Sequence, residues 1–404
     1  MHKGRLLGGI LLVSGTTIGA GMLALPVSSG ISGFYPSLLI FCLIWAFMLY
    51  TAFLMLEVAL WMKGGSNLIT MAEYTLGRFG HWIAWGAYLV LLYLLNIAYL
   101  SVGSKLMIGG FSSILGVSLP SWLGLLPFLL IFGSFVYLGT KAVDSVNRLF
   151  MMGLMITFAI IIIIATPSVD KSLLSETHYK YLPVAVSIIV TAFGFHIIIP
   201  SLLNYLDRDV RKVKTSIFIG SMAPLLVYIF WQFLVQGIVP IEGVGGLKEA
   251  WELGDSAIVP MQGILNTPTI SLVANLLAFF AIVTSFLGVS LSLTDFLADG
   301  LKIKKDKKGK SIISLIAFLP PLIVALTYRR AFLSALGYAG AFGVVILLCI
   351  LPAAMVWKGR YIMKIKGSFI TPGGKGALIF VFAISSIIII LEIAEKLGIL
   401  AASH

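Results

Sequence analysis

The sequence predicts an all-α membrane protein of eleven transmembrane helices, built as two inverted halves of five helices with one helix appended. Three observations support this fold class: the composition, the length of the apolar runs, and a matching interruption at the start of each half. Of the 404 residues, 59% are hydrophobic and 11% are charged, and the mean hydropathy is +1.06. Soluble proteins carry about 25% charged residues, so this chain belongs in a lipid bilayer.

Eleven apolar runs are long enough to span a membrane, which takes roughly 20 residues in a helix. They are too long and too continuously apolar for the alternating strands of a membrane barrel, and a helix satisfies its backbone hydrogen bonds within one segment. The predicted spans are residues 5–30, 34–62, 81–108, 121–140, 144–167, 181–204, 214–237, 268–298, 311–328, 331–357 and 374–397.

The basic residues predict the orientation. With the N-terminus in the cytoplasm, 21 of the 28 Lys and Arg residues fall in cytoplasmic segments, as the positive-inside rule requires. Because they are scattered over short loops, we expect no nucleic-acid surface despite the net charge of +12. The lysine-rich segment 302–310 is a topology anchor or a contact for anionic lipid. An odd number of spans places the C-terminus in the periplasm; Arg329 and Arg330 fall on that side, against the rule.

The leading ten spans divide into two blocks of similar length within a single domain, residues 1–404. The first repeat covers residues 5–167, the second covers 181–357, and residues 374–397 form an extra eleventh helix. Because five is an odd number, the second block enters the membrane upside down relative to the first. This is the arrangement of transporters built from inverted repeats.

The first span of each block is interrupted. The stretch VSGTTIGAGMLALP (13–26) has three glycines and two threonines within residues 15–21, and glycine costs about 1 kcal/mol relative to alanine inside a helix. The sixth span reads VSIIVTAFGFHIIIPSLLNYL (186–206); Pro200 removes a helix hydrogen bond there and Gly194 loosens the backbone before it. Both halves are therefore predicted to open with a broken helix.

Unwound backbone in a membrane is tolerated only where it lines a cavity or is buried in protein. Its free N–H groups can bind a carboxylate with help from the helix dipole, and its free C=O groups can bind an ammonium group or a cation. An amino acid carries one group of each kind. Glycines four apart also serve helix packing, but the pairing of two breaks favours binding. The candidates are the N–H groups of Gly19, Ala20 and Gly21 and the C=O groups of Gly15, Thr16, Thr191, Ala192 and Phe193.

Four segments resemble one known family: GTTIGAGMLALP (15–26), FGFH with a following PS (193–201), TSFLGVSLSLTDFLAD (284–299) and ALGYAGA (335–341). They are similar to the bacterial aromatic and hydroxy amino acid permeases, and the first segment looks most like the tyrosine-specific members. The resemblance covers nearly the whole chain. It implies the LeuT-like five-plus-five fold of the amino-acid/polyamine/organocation superfamily and import of an aromatic amino acid driven by the proton gradient.

The resemblance also assigns residues to roles. Residues 15–21, with Thr17 among them, match the unwound part of the first helix, and residues 191–196 match that of the sixth. In sodium-coupled relatives of this fold, the eighth span completes a sodium site with carbonyl groups of the first helix. Sodium coupling therefore stays open beside proton coupling. The corresponding positions here are Gly15, Ile18, Ala281, Thr284 and Ser285.

An aromatic substrate needs an apolar slot with a few polar groups that fix its direction. Phe193 and Phe195 flank the second break, and Asn96 and Tyr99 share one face of the third span. Asn96 or Thr191 could meet a phenolic hydroxyl, which would favour tyrosine over phenylalanine because an unpaired buried polar group costs about 1–3 kcal/mol. Core packing is the alternative for each residue, and tryptophan or phenylalanine is the alternative substrate.

Ionisable residues buried in membrane spans indicate function by default. His196 lies at the second break, and a histidine ordinarily titrates near neutral pH; Glu57 and Asp295 lie toward the inner ends of their spans. These three are the candidates for coupling or gating; a neutral core histidine and fixed ion pairs are the alternatives. One charge that crosses 100 mV supplies about 2.3 kcal/mol, which is roughly fortyfold accumulation.

Together these features predict a secondary active transporter that imports an aromatic amino acid, L-tyrosine first, across the cytoplasmic membrane of a bacterium by alternating access. A channel is the alternative class, but no repeated filter or ring of pore charges is visible. We expect no enzyme, because no HExxH or GxSxG motif is present, and no cofactor.

Cys42 and Cys349 lie inside spans and indicate neither a disulfide framework nor a metal cluster. We expect a monomer in contact with lipid, and the outer loop 237–267 is a gate or an idle connector.

Overall fold

The computed structural model describes residues 2–62, 64, 66–115, 120–328 and 330–400. Within these ranges the chain is helical, with turns and short 3₁₀ segments between helices and one isolated antiparallel bridge between Gly33 and Thr177. The basic residues Lys63 and Arg329, which the orientation prediction includes, lie outside the described residues.

The helices follow one another with short connections over most of the chain. Two π-helical segments, Ala339–Ile350 and Lys358–Ile362, continue α15 and α16. The α-helices are α1 (His2–Thr17), α2 (Gly21–Gly30), α3 (Phe34–Trp61), α4 (Leu68–Leu76), α5 (Arg78–Leu115), α6 (Leu125–Leu138), α7 (Thr140–Ala165), α8 (Leu182–Ala192), α9 (Ile199–Tyr205), α10 (Val210–Gln236), α11 (Leu247–Leu253), α12 (Ile258–Leu265), α13 (Pro268–Gly300), α14 (Lys307–Thr327), α15 (Ala331–Tyr338), α16 (Leu351–Trp357) and α17 (Gly374–Lys396).

The prediction of a helical membrane protein is confirmed. Among the described residues, nine helices are long and apolar enough to cross a membrane, and α1 with α2 makes a tenth when this pair, bent by 57°, is counted as one span. A shorter apolar helix, Trp122–Leu138, lies where the fourth span is predicted. It ends before Gly139, whose φ of +103° is a conformation that glycine adopts easily.

The broken helices lie at the centre of the bundle. In the most apolar window of Tyr179–Tyr205, 67% of the residues are buried, compared with 22% for Thr140–Ser168 and 28% for Gly374–Lys396. α8 contacts α2, α3, α15 and α17, and α1 lies along α10. The second interruption and α2 are therefore surrounded by protein, where irregular backbone can be accommodated. α1 is exposed along one side, at Leu7, Leu11 and Leu12.

Candidate functional site

The first break separates α1 from α2. α1 ends at Thr17, α2 begins at Gly21, and their directions differ by 57°. The Ile18 amide makes the last bond of the α1 pattern, to the Ser14 carbonyl at 2.9 Å. The next backbone hydrogen bond closes a tighter turn, and the Gly19 carbonyl is its acceptor. The glycine-rich stretch thus unwinds where the sequence predicts it.

The amide groups of this break are only partly used. Ala20 donates its N–H to the hydroxyl oxygen of Ser285 on α13 at 2.9 Å. The amides of Gly19 and Gly21 donate to no other residue in the described part of the chain. A Cβ atom on Gly19 would lie 2.6 Å from the Ser285 oxygen. The absence of a side chain at Gly19 therefore allows the Ser285 hydroxyl to approach the backbone beside two free N–H groups.

The second break follows α8. This helix ends at Ala192, and residues 193–195 form a turn in which the Gly194 amide bonds back to the Thr191 carbonyl at 3.2 Å. A short 3₁₀ helix and α9 follow, with Pro200 in the first turn of α9, where its missing N–H breaks no helix bond. The predicted interruption of the sixth span is therefore present.

One side chain joins the two breaks. Tyr228 on α10 is fully buried, and its hydroxyl lies 2.6 Å from the Thr17 carbonyl oxygen and 3.1 Å from the Ala192 carbonyl oxygen. These carbonyls belong to the last residues of α1 and α8. Because a tyrosine hydroxyl carries a single hydrogen, the two helix ends share one donor. No local pattern marks Tyr228, which lies one turn after Pro224 in the interior of α10.

A cavity of about 550 Å³ lies between the two breaks, within the size range of small-molecule sites. It extends past Leu11 and Leu12 toward the end of the bundle where α1 begins. At the opposite end, the segment between α11 and α12 covers α2, and the Ala257 amide donates to the Leu23 carbonyl at 2.9 Å. The predicted residues that line the cavity are Gly15, Thr16, Thr17, Ile18, Gly19, Ala20, Gly21, Tyr99, Thr191, Ala192, Thr284 and Ser285.

Comparison with known proteins identifies the family of the chain. The family model described as the tryptophan/tyrosine permease family matches residues 2–392. The chain belongs to this permease family. This is a family of permeases for aromatic amino acids and not a family of enzymes.

Relatives of the permease carry both aromatic specificities in their names. The tyrosine-specific transport system 1 of Haemophilus influenzae is 36% identical over 88% of either chain. The tryptophan-specific transport protein of the same species is 33% identical over 97% of this chain and 96% of its own length. A crystal structure of the Eremococcus coleocola manganese transporter has a TM-score of 0.60 at 14% identity, over 96% of this chain and 86% of that one. That likeness shows a shared transporter fold.

Three residues predicted for the aromatic slot do not line the cavity of the permease. Asn96 is fully buried: its amide nitrogen donates to the Leu92 carbonyl at 2.9 Å, and its amide oxygen accepts from the Ser290 hydroxyl at 2.5 Å. Phe193 packs edge-on against Tyr228, and Phe195 packs beside a buried histidine. Asn96 and Phe193 thus contact residues of other helices, Ser290 on α13 and Tyr228 on α10, instead of facing the cavity.

The cavity also has walls that the sequence analysis missed. On α5, Tyr88, Leu91 and Leu95 line it together with Tyr99, and on α7 Asn147 does so. The signal was available, because the α5 positions recur at three- and four-residue spacing and mark one helical face. The Asn147 side-chain oxygen has no partner in the described part of the protein, so the wall keeps a free acceptor.

Of the three predicted coupling residues, two are held in ion pairs. Glu57 is 1% exposed and forms a bidentate salt bridge with Arg360, which lies on the π segment after α16. Asp295 forms an exposed pair with Lys305 at 2.7 Å. His196 is fully buried: its Nε2 lies 2.9 Å from the Thr51 hydroxyl, and its Nδ1 has no described partner. None of the three lines the cavity.

The predicted sodium ligands surround the first break, with one exception. Gly15, Ile18, Thr284 and Ser285 line the cavity, whereas Ala281 is fully buried. The Thr284 hydroxyl donates to the Phe280 carbonyl at 2.7 Å and keeps lone pairs free. No group of three or more His, Cys, Asp or Glu side chains suited to a metal ion occurs among the described residues. The available ligands are thus carbonyl and hydroxyl oxygens.

Proposed function

We propose that the permease is a secondary active transporter that imports L-tyrosine by proton symport and alternating access. The observation that carries the proposal is that two helix breaks meet at one cavity, with free amide and carbonyl groups beside it. A zwitterion needs donors and acceptors a short distance apart, and the breaks supply both. Relatives named as tyrosine-specific support the choice of substrate, and tryptophan is the second candidate because a relative of similar identity is named as specific for it.

The backbone groups suit the two charges of an amino acid. We assign the carboxylate to the free amides of Gly19 and Gly21, at the start of α2, where the helix dipole favours negative charge. The ammonium group lies against the carbonyls of Gly15 and Thr16, since the last turn of α1 leaves carbonyls without amide partners. The Ala20 amide keeps its bond to Ser285 and holds that hydroxyl group beside the carboxylate site.

The side-chain slot runs along α5, past Tyr88, Leu91, Leu95 and Tyr99. Thr191, at the wall opposite, donates to the carbonyls of two neighbours at 3.0 and 2.9 Å, and its oxygen can still accept from a phenol. Because Thr191 already has acceptors for its own hydrogen, phenylalanine forfeits one net hydrogen bond of about 0.5–1.5 kcal/mol. We therefore expect a preference for tyrosine over phenylalanine of only roughly 2- to 13-fold.

The architecture that accompanies this function has eleven spans. They arise when α1 and α2 are joined into one span and the helix Trp122–Leu138 is added. We propose inverted repeats at 5–167 and 181–357, residues 374–397 appended, and a monomer in the cytoplasmic membrane of a bacterium. The basic loops favour a cytoplasmic N-terminus and a periplasmic C-terminus. In that orientation the cavity opens toward the cytoplasm, because it extends to the end where α1 begins.

A proton is the proposed coupling ion and sodium is the alternative. Among the predicted ionisable residues, Glu57 and Asp295 are proposed as gate contacts because both are already paired. His196 keeps one unpartnered ring nitrogen beside the second break. Sodium would use oxygen ligands of the first break and α13, namely Gly15, Ile18, Thr284 and Ser285, with Ala281 behind them.

Counterflow in proteoliposomes tests the proposed function. Vesicles loaded with unlabelled tyrosine should transiently accumulate labelled tyrosine from outside, and each of the other amino acids is added in turn as a competitor. We expect strong competition by tyrosine, weaker competition by phenylalanine, and no dependence on sodium. A protonophore should abolish net accumulation and spare counterflow. Unsaturable equilibration would instead indicate a channel, and strict sodium dependence would overturn proton coupling.

A further inference from the structure

α17 carries a buried acid on the face that packs into the bundle. Its buried residues are Leu378, Val381, Ser385, Ile388 and Glu392, a stripe at alternating three- and four-residue spacing that marks one helical face. Four are small or apolar, as a packed face requires. Glu392, at 3% exposure, occupies the outer end of this stripe, where an aliphatic side chain would be expected.

The Glu392 carboxylate is incompletely satisfied. One of its oxygens, Oε1, makes no hydrogen bond within the described chain and lies 3.5 Å from the Lys396 ammonium group. The same oxygen sits against Gly337 on α15, where a Cβ would come within 2.6 Å of it. The chain thus makes room for the carboxylate by omitting a side chain on the facing helix, and ionisable groups buried inside a membrane usually serve function.

The charges around Glu392 do not cancel. Lys396 also pairs with Glu395, at the shorter distance of 2.8 Å, and its ammonium group lies 5.3 Å above the Tyr338 ring of α15. α8 contributes only an uncharged hydroxyl, that of Ser187. Two carboxylates therefore share one ammonium group, which leaves one negative charge in excess when both are ionised. A single proton removes that excess.

The cluster formed by Glu392, Glu395 and Lys396 is joined to the cavity through α8. The Ser187 side chain lies beside the Glu392 carboxyl group. One turn further along α8, the Thr191 hydroxyl donates to the Ser187 carbonyl at 3.0 Å and to the Leu336 carbonyl of α15 at 2.9 Å. Thr191 and Leu336 both line the cavity. A change at Glu392 therefore acts on the contact between α8 and α15 that forms the cavity wall.

We propose that Glu392 binds the coupling proton of the transport cycle. This inference rests on the proton symport proposed above and names Glu392, in place of His196, as its carrier. When the outer ends of α8 and α15 separate, the carboxylate gains one proton from the outer side. It returns that proton toward the cavity, past Ser187 and Thr191, after the inner side has opened. Burying the excess charge is unfavourable, so the outer side closes around the protonated, neutral cluster.

The test compares coupled and uncoupled transport in proteoliposomes. With one proton per tyrosine, a gradient of one pH unit should give about tenfold accumulation by the wild type. Glu392→Gln, which mimics the protonated acid, should reduce that ratio to about one and remove the pH dependence of tyrosine affinity, while counterflow stays within about twofold. Glu252→Gln, the same change at an exposed acid of the outer loop, should match the wild type in every assay.

The outcomes separate the two proposals. If the wild type shows no pH-driven accumulation, proton symport itself is wrong. If Glu392→Gln accumulates tyrosine like the wild type, or His196→Gln and not Glu392→Gln loses accumulation, Glu392 is not the carrier. Should Glu392→Gln fail to fold, Glu392→Asp keeps a carboxyl group on a shorter arm and should shift the pH midpoint of uptake. An unshifted midpoint in that folded variant would overturn the inference.

Discussion

Gly19→Ala should weaken tyrosine binding through a collision that can be read from the structure. An added Cβ atom would lie 2.6 Å from the Ser285 hydroxyl oxygen, about 0.8 Å inside ordinary contact at 3.4 Å, but 3.9 Å from the Ser285 Cβ. The backbone at this position cannot retreat freely, since the Ala20 amide is bonded to the same oxygen at 2.9 Å. The hydroxyl group must therefore rotate away.

The expected size of the effect follows from that rotation. It leaves the Ala20 amide without its partner, and an unsatisfied buried group costs about 1–3 kcal/mol. The methyl group also narrows the space beside the Gly19 amide, where we place the carboxylate. If the penalty falls on the bound state, tyrosine affinity should decrease by roughly 5- to 150-fold. Titration calorimetry on the purified permease measures this directly.

A double-mutant cycle isolates the collision. Ser285→Ala removes the hydroxyl oxygen and leaves the Cβ atom of residue 285, which lies 3.9 Å from the added Cβ. The penalty of Gly19→Ala should therefore be smaller in that background. Gly86→Ala is the control, because a Cβ there meets nothing within 4 Å and Gly86 does not line the cavity. Wild-type affinity in Gly19→Ala, or an equal penalty with and without Ser285, would refute the close approach as the reason for the glycine.

Three further changes are predicted. Tyr228→Phe keeps the ring but removes the donor shared by both breaks, so counterflow should slow at least about tenfold while the melting temperature changes little; an unchanged rate would contradict the bridge. Glu57→Gln removes the negative charge that faces Arg360, whose side chain is 11% exposed, and should lower the free energy of unfolding by up to about 3–5 kcal/mol. A thermal-shift assay measures this change, and a wild-type melting temperature would be the contrary result. Asp295→Asn breaks the exposed pair with Lys305, which contributes about 0–1 kcal/mol, so stability should change little. Strongly impaired uptake would instead indicate that Asp295 has a coupling role.

The breaks could be predicted because unwinding has a local cause. Glycine and threonine in the first span, and Gly194 in the sixth, weaken a helix whatever surrounds it. The loss of a helix hydrogen bond predicted at Pro200 was wrong, because this residue lies in the first turn of α9. Residues that belong to the broken backbone, such as Gly19 and Thr191, accordingly line the cavity. The resemblance to a permease family is confirmed independently of the breaks, by the family model that matches residues 2–392.

The side chains beyond the breaks could not be predicted from spacing alone. Asn96 and Tyr99 share a face of α5, yet only Tyr99 lines the cavity, because a serine 194 positions away captures the Asn96 amide. Glu57 looked like a free acid in a span, but its partner Arg360 lies 303 positions further along. Partners at such distances are set by packing, and no local pattern in one sequence reports them.

Arg330, which breaks the positive-inside pattern, has a role that only the folded chain reveals. Its guanidinium group lies 5.5 Å from the Trp251 ring and donates to the Trp251 carbonyl at 3.1 Å. Lys105 binds Asp255 at 2.5 Å in the same region, with the aspartate 16% exposed. Both contacts fix the segment that covers α2, at the end of the bundle opposite the cavity opening.

The two ends of the cavity are therefore held with unequal strength. At the open end, Arg5 pairs with Asp207, but these side chains are 57% and 75% exposed, and such pairs contribute about 0–1 kcal/mol. At the covered end, Trp251 is 3% exposed and contacts Arg330, and the Lys105–Asp255 pair is 34% and 16% exposed, so both contacts are better shielded from solvent than the Arg5–Asp207 pair. Alternating access requires the covered end to open in its turn, so substrate and ion must together compensate for the loss of these contacts. Substitutions that remove the contact of Arg330 with Trp251, or of Lys105 with Asp255, should then shift the population toward the outward-open form without altering the breaks themselves.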